Sequence, residues 1–384
     1  MAPRQARTAR RSQLGLSLIE LLVGVAIGLI GILAMFQTLS VWSKHTQATA
    51  SGGDAQIAGT LALFNIERDM KLAGLGFSQA ASAVMGCTVT ADDAALARAF
   101  QFRMRPVDIA ASAGGAPDSI TVVYGNSSFF ATNETFNSAT ASTKRLVRRN
   151  GFKAGDLAIV AGNAIPASSA SATCQLVEIT DTDDPDGLTV GHTALNYVSF
   201  YAASAASGVP RYNLAAGTGA TFTTGTMYDL GPQPRVNTWA IANSRRLERT
   251  DAIGGAAPFQ LADGIINLKA QYGVDGPVAN GRIEDAEWTN VAPADWTTVL
   301  AIRVAVLVRG QQFERNGDPA ASVAAPLTAA APTWAGGTFL MTNVDGTPDA
   351  FGPANADPNN WRYYRYRVYE RVIPLRNMLW GTLP

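Results

Sequence analysis

The chain opens with a short basic segment that is followed by a long apolar stretch. Between residues 16 and 36, only Ser17 and Glu20 carry hydrogen-bonding side chains. This length is close to the ~20 residues that a transmembrane helix requires. Four arginines precede the stretch, and positive charge before a first span favours a cytoplasmic N-terminus. The pattern therefore predicts a single-pass span, with the remainder of the chain on the far side of the membrane.

After a polar stretch, apolar positions recur at helical spacing in two stripes. They predict that one long helix covers residues 16–73, apolar all round over 16–36 and amphipathic thereafter. One stripe is expected to dock on a sheet and the other to suit a neighbouring subunit, and Gly74 and Gly76 give a plausible stop. The stripes are Ile57, Leu61, Phe64 and Leu72 on one face, and Leu63, Ile66 and Met70 on another.

Beyond Gly76 the apolar positions alternate with period two, which predicts strands. Residues 299–308 are almost continuously aliphatic and are expected to form a buried central strand. Residues 202–226 and 319–360 are low in complexity and predict long surface loops. The predicted fold class is α+β, a long hydrophobic helix packed on antiparallel sheet, with residues 74–384 as a β-rich globular region. Other predicted strands are 119–124, 156–160, 174–179, 195–201, 239–241, 265–272 and 361–373.

Glu20 is a lone carboxylate inside the predicted span. An ionised carboxylate in a bilayer costs about 2.5–3.5 kcal/mol and persists where it has a partner. No Lys or Arg lies on the same face of the predicted helix. The partner must therefore be another chain, or a positive charge that processing creates. Cleavage between Gly15 and Leu16 would create one, because Glu20 would then lie one helical turn from a free α-amine.

The run Gly15-x-Ser17-Leu18-Ile19-Glu20-Leu21, preceded by basic residues, resembles the class III signal of type IV prepilins. The resemblance implies a leader over residues 1–15, cleavage by a prepilin peptidase between Gly15 and Leu16, and N-methylation of Leu16. It also implies that Glu20 compensates an α-amine during assembly. Leu16 stands where most members of the family have Phe. The alternative is an uncleaved signal anchor that happens to carry a Glu.

Later segments are similar to the PilW family of minor type IV pilins. This resemblance implies a subunit of the pilus, in its tip or priming complex, that supports pilus biogenesis, twitching motility and adhesion. The implied partners are other minor and major pilins, a pilus-tip adhesin and inner-membrane lipid, with the globular region in the periplasm and then at the cell surface. The segments are residues 67–74, 265–275, 301–309 and 367–377.

Two other functions stay open from the sequence. A minor pseudopilin of type II secretion would share the leader, the helix and the sheet, and the genomic neighbours would distinguish it. A membrane-tethered module that binds DNA or glycan would instead show salt-dependent ligand binding.

Charge and cysteine content narrow these possibilities. The chain has 30 basic and 30 acidic side chains, and loss of the four leader arginines would leave 26 basic side chains, a net charge of −4. This negative net charge argues against bulk electrostatic attraction to nucleic acid.

Cys87 and Cys174 are expected to form one disulfide in an exported protein. Two buried free thiols are the alternative.

No catalytic set is evident, so we expect no enzyme and no cofactor. The only histidines are His45 and His192, and neither has a local nucleophile partner. Residues 181–187 form an acidic run that resembles a calcium loop, but Pro185 and His192 occupy ligand positions of the loop. A solvated acidic turn fits this run better, and no metal site is predicted.

One basic and aromatic series lies within the last predicted strand, residues 361–373. On a strand its members would share a face that could stack on a DNA strand. A half-exposed sheet face or a contact to another pilin fits the pattern better. The series is Tyr363, Arg365, Arg367, Tyr369 and Arg371, and a second basic cluster covers residues 144–149.

Overall fold

The computed structural model describes residues 17–82, 84–127, 133–148, 151–162, 173–182, 184–204, 207–214, 222–242, 245–276, 280–314, 326–347 and 357–381. The predicted leader, Gly15 and Leu16 lie outside the described residues. The chain divides into two compact units, residues 1–53 and 54–384.

The first unit contains most of helix α1, which runs from Leu18 to Met70. Its apolar side chains from Leu18 to Trp42 are exposed. Among the described residues, α1 is the one helix long and apolar enough to cross a membrane. Such a surface needs lipid or other apolar helices around it, because water would contact it at a large free-energy cost.

The described residues of the second unit form three larger sheets and a short hairpin. An eight-stranded sheet has the order β2-β1-β8-β7-β10-β5-β6-β9, and only its β1–β8 pairing is parallel. Its strands are β1 (Thr88–Asp93), β2 (Arg98–Arg103), β5 (Glu134–Ala139), β6 (Thr143–Leu146), β7 (Leu157–Gly162), β8 (Thr173–Glu178), β9 (Thr189–Gly191) and β10 (Gly225–Gly231).

The other sheets are antiparallel. A five-stranded sheet has the order β13-β12-β11-β4-β3, and a four-stranded sheet has the order β15-β14-β16-β19. The elements are β3 (Val107–Ala110), β4 (Ser119–Tyr124), β11 (Arg235–Ala242), β12 (Arg246–Asp251), β13 (Phe259–Asp263), β14 (Ile265–Val274), β15 (Trp288–Thr289), β16 (Val299–Arg309), β17 (Thr333–Trp334), β18 (Gly337–Thr338), β19 (Tyr366–Pro374) and a C-terminal helix α2 (Arg376–Gly381).

The predicted α+β class is confirmed, and one of the two α1 stripes docks on the sheets. Leu63, Ile66 and Met70 are buried in the main hydrophobic core. Small residues continue this buried face, since Ala55, Gly59 and Ala62 follow the same helical spacing. The other stripe stays exposed, with Ile57 at 67% and Phe64 at 59% of their full accessible surface.

β16 is the buried central strand that its continuous apolar sequence predicts. Its alternate side chains enter two different clusters, because both faces of the sheet are covered. Ile302, Val304 and Val306 face the main core that includes the α1 residues. Ala305 and Leu307 instead pack against Phe339, which is 1% exposed.

The described part of the predicted loop 319–360 is largely irregular, but it contains the short β17–β18 hairpin and places Phe339 against the four-stranded sheet. One sequence-based expectation needs correction. Residues 195–201 form no strand. Their one ladder contact is an isolated bridge between Tyr197 and Gly208, and the Phe200 amide donates to the Ala154 carbonyl. Leu195 and Val198 are both exposed, so the apolar alternation there has no core to face.

The predicted disulfide is present. Cys87 and Cys174 are bonded, with their Cα atoms 6.0 Å apart. The bond joins the entry to β1 with the parallel neighbour β8. It spans 87 residues, and the chain-entropy model gives a crosslink of that length about 4–5 kcal/mol of stabilisation.

Candidate assembly surface

Glu20 lies in the first turn of α1 and makes a hydrogen bond within its own chain. The Ser17 backbone N–H donates to Glu20 Oε2 at 3.2 Å, and the Ile19 N–H donates to Ser17 Oγ at 3.3 Å. The arrangement is similar to a capping box, in which a Ser and a Glu three residues later satisfy free N–H groups at a helix start, but the Ser17 hydroxyl accepts from the second helical residue. The spacing Ser17-x-x-Glu20 was a signal that sequence reasoning missed. The capping donor is neutral, so the Glu20 charge still lacks an opposite charge among the described residues.

The exposed stripe of α1, with Leu72 in the turn that follows the helix, forms a separate apolar surface in the second unit. Ile57, Leu61, Phe64 and Leu72 are each at least 40% exposed. The same stretch of helix buries its other face, so this surface is held on a rigid, docked element. Large apolar side chains that recur on one exposed face of a helix are typical of contact with a second protein.

A buried carboxylate fixes the end of α1 to the five-stranded sheet. Asp69 is 1% exposed. The Asn237 amide and the Trp239 indole N–H donate to Asp69 Oδ2 at 2.9 and 3.0 Å, and the Tyr124 hydroxyl donates to Oδ1 at 3.2 Å. Burial, with the Asp69 charge as a second cause, raises the pKa of Tyr124 above its usual value, so the hydroxyl remains a donor. Three donors from β4 and β11 thus hold the helix in one register.

The edge strand β19 meets the same helix. Gly59 lies directly against the Tyr369 ring, so a Cβ at position 59 would come within 2.2 Å of a ring carbon. About two turns further along, Glu67 pairs with Arg371 of β19 and with Lys71, whose Nζ is 2.8 Å away. The Lys71 ammonium and the Arg371 guanidinium hold the pKa of the Glu67 carboxyl below its usual value. These contacts set the spacing between the helix and β19.

The basic and aromatic series does not form the single face that the alternation suggested. Tyr363 is buried in a short 3₁₀ helix, Trp361–Tyr363, outside the strand. Arg365 makes two hydrogen bonds of 2.7 Å to the Glu314 carboxylate. With Tyr369 and Arg371 engaged by α1, Arg367 is the member of the series that remains exposed without a described partner.

The acidic turn faces a basic residue of the second basic cluster. Arg145 lies 3.7 Å from Asp184 and 2.5 Å from Asp186. The Arg145 guanidinium holds the pKa of Asp186 below its usual value. Among the described residues, no three His, Cys, Asp or Glu side chains are grouped as a metal site would require.

The two histidines lie in unlike environments. His45 is on the exposed part of α1. His192 is buried with Nε2 3.1 Å from Lys144 Nζ, and burial lowers the pKa of His192 to about 3 and that of Lys144 to about 8. In the part of the chain that the structure describes, neither imidazole is bonded to a Ser or Cys side chain.

Comparison with protein families agrees with this arrangement. A family described as Type IV Pilus-assembly protein W matches residues 241–377, which include β12 to β16 and β19. The prokaryotic N-terminal methylation motif matches residues 10–36, which include Gly15 and Glu20. No curated protein and no solved structure matches the chain significantly.

The two matches support a role in pilus assembly, processing by a prepilin peptidase and interaction with other pilins. The methylation motif and the apolar α1 helix also support membrane anchoring and association with a pilus. Domains of this family are structural rather than enzymatic. Together the matches support a PilW-like minor pilin of type IV pili, with a class III signal at its N-terminus.

Proposed function

We propose that this minor pilin enters the tip or priming complex of the pilus after a prepilin peptidase cuts between Gly15 and Leu16 and Leu16 is N-methylated. On this proposal residues 1–15 are the leader, 16–73 the helix and 74–384 the periplasmic and later extracellular region. The subunit waits in the inner membrane until it is extracted. The observation that carries the proposal is a lone carboxylate, Glu20, in the first turn of an exposed apolar helix.

Glu20 supplies the charge that sets the register of assembly. Methylation would keep the new α-amine positive, and that charge belongs either to the same chain or to a neighbour. In a bundle where apolar helices replace lipid with one another, an unpaired carboxylate costs more free energy than one matched by a positive charge. Such a pair gives specificity more surely than affinity. Where the α-amine belongs to a neighbour, a subunit in the wrong axial position leaves both charges unmatched.

The exposed stripe of Ile57, Leu61, Phe64 and Leu72 offers a second contact, to another minor or major pilin. A tip adhesin is the further partner expected of a priming complex. Support of twitching motility and adhesion would follow from the role in pilus biogenesis. Twitching and surface attachment in a strain that lacks this chain would both be lost together with the pili.

The substitution Glu20→Gln tests the charge pair. It removes the charge but keeps the side-chain shape and one acceptor oxygen for the Ser17 N–H. We expect normal cleavage, seen by intact mass, and a loss of at least tenfold in the protein recovered with sheared pili. The control Ser17→Ala removes the capping hydroxyl and keeps the charge, so it should enter pili at close to the normal level. Normal incorporation of Glu20→Gln would reject charge pairing.

The cleavage step has its own measurement. The full-length protein is purified from membranes of cells with and without a prepilin peptidase, and its N-terminal residue and mass are determined. A chain that starts at Leu16 only when the peptidase is present supports the proposal. A chain that keeps residues 1–15 in both cells would make it a signal-anchored protein instead.

A further inference from the structure

A cavity of about 410 Å³ lies where the five-stranded and four-stranded sheets meet. β12 begins at Arg246, β13 ends at Asp263, and Gly264 leads directly into β14. β16 ends beside them at Arg309, whose N–H donates to the Gly264 carbonyl at 2.8 Å. The polar side chains that line the cavity are those of Arg245, Arg246, Asp263, Arg309, Gln311 and Tyr364. None of them belongs to the assembly surface described above.

The lining carries more positive than negative charge. Arg246 pairs with Asp263 at 3.0 Å and also donates to Gln260 at 2.9 Å, so its charge is balanced. Among the described residues, no carboxylate lies within ion-pair distance of Arg245 or Arg309. Three arginines against one aspartate therefore leave two positive charges uncompensated at the cavity.

Arg309 is the informative member of this group, because it is 8% exposed. A buried guanidinium normally has a hydrogen-bonding or ionic partner. The side chain of Arg309 has instead a stacking contact, with its guanidinium carbon 4.6 Å from the centroid of the Tyr364 ring. The Tyr364 hydroxyl donates to the Pro358 carbonyl at 2.8 Å, which fixes the ring. Stacking holds the guanidinium in place and leaves its N–H edges for a ligand.

Arg245 approaches the same cavity from the β11–β12 connection. Its φ of 61° lies in the left-handed region, which few residues other than glycine adopt. Its N–H donates to the Ala242 carbonyl at 2.9 Å, and its side chain is exposed at the rim. Burial raises the pKa of Tyr364, and the Arg245 charge opposes that rise, as expected for two groups near one another. One fixed and one exposed guanidinium thus line the cavity together.

We propose that this cavity binds the phosphate group of a small phosphorylated molecule or of free inorganic phosphate. Guanidinium groups present paired N–H donors that match the oxygens of a phosphate. A dianion would balance both Arg245 and Arg309, whereas a carboxylate would leave one of them uncompensated. The volume also lies in the range of small-molecule sites.

The test uses the full-length protein in a non-ionic detergent, titrated with inorganic phosphate at constant ionic strength and pH 7.5. Isothermal calorimetry should show saturable binding of phosphate and none of acetate. Arg245→Asn should weaken phosphate binding at least tenfold. Asn tolerates the left-handed backbone and the residue is exposed, so the variant is expected to fold. The matched control is Arg282→Asn, an exposed arginine outside the cavity, which should bind phosphate normally.

Arg309→Lys tests the geometry, because it keeps the positive charge and removes the fork of donors. It should weaken phosphate binding at least as much as Arg245→Asn does. Glycerol 3-phosphate distinguishes a phosphorylated molecule from free inorganic phosphate as the ligand. Tighter binding of glycerol 3-phosphate than of inorganic phosphate assigns the site to a phosphate ester, and equal binding assigns it to the free ion. Phosphate binding that is absent, matched by acetate, or unchanged in Arg245→Asn overturns the proposal.

Discussion

At the residue scale, Asp69 has a structural role that its place in the sequence conceals. It lies on the buried face of α1 between Ile66 and Met70, where a charge is costly unless it is fully hydrogen-bonded. Its donors Asn237 and Trp239 are 168 and 170 residues away along the chain. A helical pattern can show that Asp69 interrupts an apolar face. It cannot show which distant donors complete the site, so this contact was not predicted.

The substitution Asp69→Ala should lower the free energy of unfolding by about 3 kcal/mol, because buried donors left without an acceptor cost about 1–3 kcal/mol each. Urea denaturation of the full-length protein in detergent, followed by tryptophan fluorescence, measures the loss. Asp54→Ala, at an exposed position of the same helix, should change the value by less than about 0.5 kcal/mol. Equal effects of the two substitutions would contradict the assigned role.

His192 gives a prediction about pH. Burial and the Lys144 charge lower the pKa of His192 from 6.5, the usual value for a histidine, to about 3 in the folded protein. Between these values the unfolded chain binds the extra proton and the folded chain does not. Stability therefore falls as the pH falls through this window, by up to about 1.4 kcal/mol per pH unit.

His192→Gln removes that titration, so its loss of stability between pH 6.5 and 4.5 should be smaller than that of the unsubstituted chain. Asp229, whose pKa burial raises to about 7, acts in the opposite direction but is present in both proteins, and its effect cancels in the comparison. His45→Gln is the control for replacement of a histidine at an exposed position of α1. Identical pH profiles for all three proteins would reject the argument.

At the scale of elements, the contact of α1 with β19 depends on a missing side chain. Gly59 allows the Tyr369 ring to approach the helix backbone, and a Cβ there would overlap the ring. Gly53, six residues earlier in the same helix, has open space around its Cα. The two glycines therefore serve as a matched pair.

Gly59→Ala should lower the free energy of unfolding by about 1–3 kcal/mol through overpacking. The higher helix propensity of alanine offsets up to about 1 kcal/mol of that loss. Gly53→Ala meets no neighbour, so it should leave stability unchanged or raise it by up to about 1 kcal/mol. Denaturation of both full-length variants under one set of conditions measures the difference. A result in which Gly59→Ala is the more stable variant would show that Tyr369 does not fix this spacing.

Elements were predictable where the pattern reflects a local rule. β16 was found because a strand buried on both faces is continuously apolar. The stripe of α1 that docks could not be chosen from spacing, since both stripes are apolar and the choice depends on the sheet that meets them. Apolar and polar residues alternate over 195–201 as in a strand, but among the described residues this segment pairs with no other strand beyond one isolated bridge. In 361–373 the first three residues form a 3₁₀ helix, because Trp361 and Tyr363 are buried there rather than alternating across a sheet.

At the scale of the whole molecule, the assembly signal and the cavity differ in how far they can be predicted. The signal is contiguous, from the basic leader to Glu20, so sequence alone predicted it and the family match agrees. The cavity joins residues from three strands and from the connections between elements, and no local motif links Arg245 with Arg309. The Ser17–Glu20 cap was only partly predictable. Its Ser-x-x-Glu spacing is present in the sequence, but a carboxylate inside a predicted membrane span was interpreted as half of an ion pair and not as a helix cap.

The exposed stripe of α1 yields a prediction that separates assembly from folding. Phe64 is 59% exposed, whereas Ile66, two residues later, is fully buried in the main core. Phe64→Ser should leave the free energy of unfolding within about 0.5 kcal/mol, since surface changes have small effects. Its recovery with sheared pili should still fall severalfold, because a contact surface with a neighbouring pilin is lost.

Ile66→Ser is the control for a substitution that damages the folded core. It should lower the free energy of unfolding by about 2–5 kcal/mol, because it leaves a cavity and buries a hydroxyl group. The measurements are urea denaturation and the ratio of this chain in sheared pili to that in membranes. Loss of pilus recovery only in Ile66→Ser would mean that assembly depends on the folded core and not on the stripe. Loss in Phe64→Ser at full stability would identify the stripe as a pilin contact, so that one helix docks its own sheets with one face and the growing fibre with the other.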